Sequence, residues 1–172
     1  IDANDKLSVQ VHPDDDYAYK HENGDLGKTE MWYIIDAKPG AKLVCGLKEG
    51  TTKEQFKSLL NRGSLEDCLN EIEVNPGDVV YIPSGMVHAI GDGILICEIQ
   101  QNSDLTYRVY DYNRVDDNGS KRELHIDKAL DVIDFNLKSD KIVPEYKKIE
   151  GGSIAKVVDS NYFKTDVIVV DS

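Results

Sequence analysis

Residues 76–90, PGDVVYIPSGMVHAI, hold a turn, a short strand, a second turn and a lone histidine. Pro76-Gly77-Asp78 has turn chemistry, because proline presets φ and glycine admits positive φ. Val79, Val80, Tyr81 and Ile82 are β-branched or aromatic, a run of strand length. Pro83-Ser84-Gly85 stops that strand and turns the chain. Met86, Val87, His88, Ala89 and Ile90 then begin another strand. An imidazole among such small and apolar neighbours is either buried with a hydrogen-bond partner or bound to something. What decides between these is whether other residues converge on His88.

On either side of this stretch, alternation assigns faces to the neighbouring strands. Residues 7–12, LSVQVH, put Leu7, Val9 and Val11 on one side and Ser8, Gln10 and His12 on the other. Residues 17–27 are polar and irregular, with a turn at Asn23-Gly24, and predict an ordered loop. Residues 28–35 are the next strand, with Lys28, Glu30 and Trp32 on one face and Met31 and Tyr33 on the other. Residues 41–46 follow as a short strand after the turn at Lys38-Pro39-Gly40. The period changes over 51–70. Thr51 or Thr52 can cap a helix carrying Phe56, Leu59 and Leu60, Arg62-Gly63 stops it, and Ser64 opens a second helix through Leu65, Cys68 and Leu69. Residues 71–75 lead into Pro76.

Downstream, Gly91-Asp92-Gly93 is a hairpin turn, 94–100 and 106–112 are strands, 116–119 (DDNG) is a turn and 126–135 a helix. Residues 138–148 form a connector, and short strands resume at Ile154. Many short strands with Gly/Pro turns predict an all-β sandwich or barrel, with a helical hairpin and a further helix as insertions. The domain division expected is 1–135, followed by 136–172 as a connector and the start of a second, truncated β region.

The 172 residues suit one domain, and 40% hydrophobic with 30% charged residues is the balance of a soluble globular chain. A net charge of −12 with no basic block argues against nucleic acid or an anionic membrane as partner. Cys45, Cys68 and Cys97 are scattered and odd in number, which argues against a disulfide framework or a cysteine zinc site and for a reducing cytoplasm. No run approaches a membrane span. The chain starts at Ile1 and finishes in a strand-like VIVV at 167–170, so both ends read as cut from a longer protein. Oligomeric state has no signature.

Four side chains suit a divalent cation: Gln10, His12, Glu30 and His88. Gln10 and His12 are two apart on a strand and share a face, and Glu30 lies on the polar face of another. Two imidazoles and a carboxylate form a common zinc or iron set, which an amide oxygen can complete. A solvated polar strand face is the plainer alternative.

Gly77, Pro83, Gly85 and His88 match the second cupin motif: glycine, five residues, Pro-x-Gly, two residues, histidine. Gln10-Val11-His12 with Glu30 resembles the first, although Gln10 replaces its first histidine and the gap to Glu30 is longer. LSVQVHPDD, GKTEMWYII, PSGMVHAIG and EIQQNSDLTYRVYDY together resemble the type I mannose-6-phosphate isomerases in their short bacterial form, over about residues 1–135. The resemblance implies a cupin-type β-barrel (jelly roll), one zinc ion, and interconversion of mannose 6-phosphate and fructose 6-phosphate. It implies Gln10, His12, Glu30 and His88 as zinc ligands and Arg108 as the active-site arginine. Lys28 matches the lysine two before the glutamate ligand, and Glu98 and Asp104 fall at acidic positions before the arginine.

Such chemistry needs a carbonyl polariser, an acid/base and a neutraliser of enediolate charge. Arg108, always protonated, suits substrate oxygens or phosphate, and Lys28 suits proton transfer or phosphate. Structural alternatives stand beside each role. Lys28 can pair with Glu30, Glu98 can bond a turn, Asp104 can cap the bend after Ser103, and Arg108 can stack on Tyr107 or Tyr110. Trp32 and Tyr33 read as core and pocket wall, and His21 and His125 as structural or exposed. Two further functions fit a cupin: a metal- or sugar-binding protein without turnover, and an Fe(II) oxygenase.

Overall fold

Alternation along the strands sorts their side chains into three apolar layers. In the computed structural model, which describes residues 1–115 and 118–171, twelve strands appear among the described residues: β1 (Asp2–Ala3), β2 (Val9–Val11), β3 (Glu30–Ala37), β4 (Lys42–Leu47), β5 (Leu69–Glu73), β6 (Val79–Ile82), β7 (His88–Ile90), β8 (Ile94–Gln100), β9 (Tyr107–Tyr110), β10 (Lys147–Ile149), β11 (Gly152–Asp159) and β12 (Lys164–Val170). The helices are α1 (Asp15–His21), α2 (Lys53–Arg62) and α3 (Ile126–Val132).

One antiparallel sheet runs β1-β8-β3-β6 and a second β5-β4-β7-β2-β9. They face each other across Trp32, Ile34, Val80, Ile82, Leu43, Cys45 and Ile90, all buried. The alternate residues of the second sheet, Val9, Val11, Val44, Ala89 and Val109, pack outward on Phe56, Leu65, Ala129 and Leu130. The helical segments thus cover that sheet's outer face. On the first sheet, Met31 and Val79 point outward and meet Ala155, Val157 and Val158 of the three-stranded meander β10-β11-β12. The strands form the expected cupin-type jelly roll, as two facing sheets rather than a barrel closed by one continuous ladder.

Three local expectations are corrected. Residues 17–27 do not begin as a loop: α1 covers Asp15–His21, capped by the Asp14 carboxylate, which accepts from Tyr17 N at 2.8 Å. Only Ala18 of α1 is buried, so capping and end charges rather than an apolar stripe mark it. The helical hairpin has one true helix. Thr52 and Gln55 make a capping box for α2 and Gly63 ends it in a left-handed conformation, but Leu65–Cys68 is a single 3-10 turn. Leu69–Glu73 is then a strand, β5, pairing with β4 from Lys42↔Glu73 to Leu47↔Leu69. The turn expected at 116–119 includes Asp116 and Asp117, which lie outside the described residues.

The turn before His88 is built as its sequence requires. Gly85 has φ +81°, favoured only by glycine, and its N–H donates to His12 O at 2.9 Å. Met86 N closes the turn on Pro83 O at 3.3 Å. The Pro-Ser-Gly turn therefore delivers His88 to β7 and ties it to the strand end that carries His12.

Candidate metal centre

Sheet register sets one row of side chains. Gln10 on β2 lies opposite His88 on β7 and opposite Arg108 on β9. Directly opposed residues project to the same face, which here points between the sheets. His12 follows Gln10 by two and shares its face. Glu30 comes from the opposing sheet, two residues before Trp32 on β3. His12, Glu30 and His88 are all buried, and one potential ligand atom of each lies within 4.8 Å of the others.

The two imidazoles are turned toward this point. His12 Nδ1 is 2.8 Å from Leu105 O and His88 Nδ1 is 2.8 Å from Met86 O. A carbonyl only accepts, so each Nδ1 donates and each Nε2 is left with a lone pair in the neutral ring. His12 Nε2 sits 3.1 Å from Glu30 Oε1, yet neither atom has an aligned hydrogen-bond partner. Two buried acceptors facing each other are unfavourable unless a proton or cation lies between them. This fits a divalent cation held by two imidazoles and a carboxylate. Gln10 joins the group with its amide nitrogen 3.3 Å from His88 Nε2. Rotating the amide presents its oxygen instead.

Surrounding charge tunes the carboxylates in opposite directions. Burial raises Glu30, but the contacts with His12, His88 and Lys28 outweigh it and hold its carboxyl well below the usual range. Lys28 Nζ is 3.0 Å from Glu30 Oε1 and the lysine is itself buried. Glu98 is raised, first by burial and then by the Glu30 charge. Its Oε2 accepts from Trp32 Nε1 at 2.9 Å, and the same indole N–H reaches Glu30 Oε2 at 3.1 Å. Arg108 is partly buried; its Nε donates to Ser8 Oγ at 3.2 Å and its Nη1 to Glu123 O at 2.9 Å. Asp104 is exposed and, among the described residues, makes no hydrogen bond or ion pair.

A cavity of about 130 Å³ opens onto the group, lined by Leu7, Ser8, Gln10, Trp32, His88 and Arg122 among others. A larger hollow of about 330 Å³ lies beside Lys6 and Lys42, but these lysines pair with Glu66 and Glu71. The chemistry therefore marks the smaller cavity. Sequence reasoning missed Arg122 and Ser8. Ser8 shares the Gln10 face and was open to detection. Arg122 lies in an aperiodic polar stretch that gives no face.

Burial, then the neighbouring His12, lowers His88 from its ordinary 6.5 to about 4, so the ring is neutral in the folded chain. The unfolded chain binds this proton first, so the stability of the neutral form is complete above about pH 6.5 and is lost as pH falls toward 4. In the metal-free chain the expected His88 loss between pH 7 and pH 5 is about 2 kcal/mol. Glu98, with its raised carboxyl, opposes this at the acid end. Urea titrations at the two pH values measure the difference, and a chain more stable at pH 5 would contradict the assignment.

The fold and this site define a cupin-type protein with a candidate divalent-cation centre between its sheets. No family model matches the chain. It is 53% identical over 163 residues to the probable mannose-6-phosphate isomerase GmuF of Bacillus subtilis and 47% identical to the mannose-6-phosphate isomerase ManA of the same organism. Each alignment takes in 95% of this chain and 51% of the relative. The crystal structure of the Bacillus subtilis mannose 6-phosphate isomerase superposes with a TM-score of 0.90 at 42% identity, over 98% of this chain and 53% of that one. A mannosephosphate isomerase homologue from Archaeoglobus fulgidus gives 0.64 at 25% identity. The chain is thus similar over nearly its whole length to proteins named mannose-6-phosphate isomerase, and spans about half the length of the curated relatives it matches.

Proposed function

We propose that this chain supplies the metal centre and much of the active site of an aldose–ketose isomerase that interconverts mannose 6-phosphate and fructose 6-phosphate. The observation that carries this is the buried pair His12 Nε2 and Glu30 Oε1, 3.1 Å apart beside His88 with neither atom in an aligned hydrogen bond. In this reading Gln10, His12, Glu30 and His88 hold one zinc ion, which when bound polarises the sugar carbonyl and the oxygen beside it. Residues 1–135 form the metal-binding unit, and 136–172 a connector and the start of a second β region.

The remaining roles follow from charge and position. The reaction moves a proton between C1 and C2 through an enediolate, so it needs a group able to take and return a proton near neutrality. Glu98 suits that role, because its carboxyl is half-buried, raised, and adjacent to the centre. Lys28 contributes positive charge where the enediolate oxygens develop theirs. Arg122, which lines the cavity, and Arg108, which is bonded to Ser8 of its wall, serve as partners for the phosphate. Asp104, exposed, is available to substrate hydroxyls rather than to the proton transfer.

An anionic sugar phosphate also suits a protein of net charge −12, because local rather than overall charge receives it. No helix among the described residues is long and apolar enough to cross a membrane; the proposed setting is cytoplasmic. The test is an assay of the full-length protein that couples fructose 6-phosphate formation to a dehydrogenase. Turnover is expected to disappear with a chelator and return with Zn²⁺. Turnover that survives complete metal removal would overturn the metal reading, and none in the metal-loaded protein would favour a binding cupin.

A further inference from the structure

Tryptophan occurs once in the chain, and packing alone does not account for how it sits. Trp32 is buried between the sheets, and its ring meets His88 edge-on with centroids 5.6 Å apart. An indole offers one donor and no hydrogen-bond acceptor. Here that single N–H lies between two carboxylate oxygens from different strands, Glu30 Oε2 on β3 and Glu98 Oε2 on β8. The register explains the meeting, since Trp32 and Glu98 are direct partners across the β3–β8 ladder. Opposed residues share a face, and Glu30 shares it by being two residues earlier on the same strand.

The consequence falls on Glu30. Its Oε1 faces His12 Nε2 and Lys28 Nζ, while its Oε2 is held by the indole. Without that donor the carboxylate could rotate and exchange its two oxygens, and a second buried anionic oxygen would lack a partner. The same N–H fixes Glu98 beside the centre. A hydrophobic side chain of similar size would fill the space and do neither.

We propose that Trp32 is a positioning residue. Its indole N–H holds Glu30 Oε2 so that Oε1 alone is presented to the histidine pair, and it tethers Glu98 next to that group. This inference rests on the reading of His12, Glu30 and His88 as cation ligands.

The test uses the native chain and Trp32→Phe, which keeps an aromatic ring and removes the donor. In the metal-free native chain labelled with ¹⁵N at the indole, the single indole N–H resonance exchanges slowly with water and shifts when Zn²⁺ is added. Trp32→Phe, folded by far-UV circular dichroism, binds Zn²⁺ roughly 10- to 100-fold more weakly in competition with a chromogenic chelator, the range expected for loss of a group that orients a ligand. A folded Trp32→Phe within about threefold of native affinity would overturn the proposal. So would an indole N–H that exchanges freely or ignores Zn²⁺, and this measurement decides the matter if the variant does not fold. A native chain that takes up no Zn²⁺ overturns the ligand reading and this inference with it. Normal native uptake with an unaffected variant overturns this inference alone.

Discussion

His88→Ala is expected to abolish tight cation binding while leaving the strands in place. His88 is fully buried, its Nδ1 is committed to Met86 O, and its Nε2 is the only ring atom left for a ligand. Alanine removes one of the three groups that converge within 4.8 Å and offers no substitute. Loss of a direct ligand should exceed the effect of losing an orienting partner, so affinity should fall by more than about 100-fold. The backbone has reason to persist, because β7 is paired on both sides, to β4 through Cys45↔His88 and to β2 through Gln10↔His88. The check is thermal unfolding with and without Zn²⁺. A ligand that binds only the native state at a hundred times its Kd adds about 2.7 kcal/mol, which moves Tm by several degrees. The native chain is expected to show that rise and His88→Ala to show none. An equal rise in both would place the cation elsewhere.

The second large effect is expected at Arg108, in catalysis rather than metal content. Arg108 lies beside Gln10 in the cross-strand row, and Ser8 Oγ and Glu123 O take up its Nε and Nη1. These contacts fix the plane of the guanidinium and, among the described residues, leave Nη2 without a hydrogen bond, open to the proposed substrate oxyanion. A lysine brings the same charge without the planar fork, and its flexible stem loses both orienting contacts. Arg108→Lys in the full-length protein should therefore lower kcat/KM for mannose 6-phosphate by about 100-fold, and Arg108→Met by more. Bound metal should stay at the native level, because Arg108 is not among the converging ligand groups. Coupled steady-state kinetics with metal analysis of each variant check this. An Arg108→Met enzyme with native kcat/KM would remove Arg108 from the site.

Much of this centre was legible in the sequence because its parts follow short-range rules. Gln10 and His12 share a face by being two apart, as do Glu30 and Trp32, and the Pro-Ser-Gly turn announces a histidine that must be aimed. The plainer alternative for Lys28, a pairing with Glu30, is present, and the pair lies buried beside the converging histidines. Among the described residues, Arg108 stacks on neither Tyr107 nor Tyr110 and is instead held by hydrogen bonds. The indole shared by Glu30 and Glu98 was not legible: it depends on the β3–β8 register, a pairing between residues 66 apart in sequence. The failures in the fold have the same character. α1 buries only Ala18 and so lacks a helical period, and β5 becomes a strand because β4 is there to pair with it. Local pattern reports faces and turns, but not which distant partner a segment will find.

Everything proposed for this chain depends on His12, Glu30 and His88 holding a single divalent cation between the sheets. The deciding experiment is elemental analysis of the purified chain after Zn²⁺ loading and exhaustive dialysis, with His88→Ala carried through in parallel. About one zinc per native chain is expected, and almost none in the variant. Absence of zinc from the folded native chain, or equal zinc in the two, would contradict the assignment of these three residues as ligands.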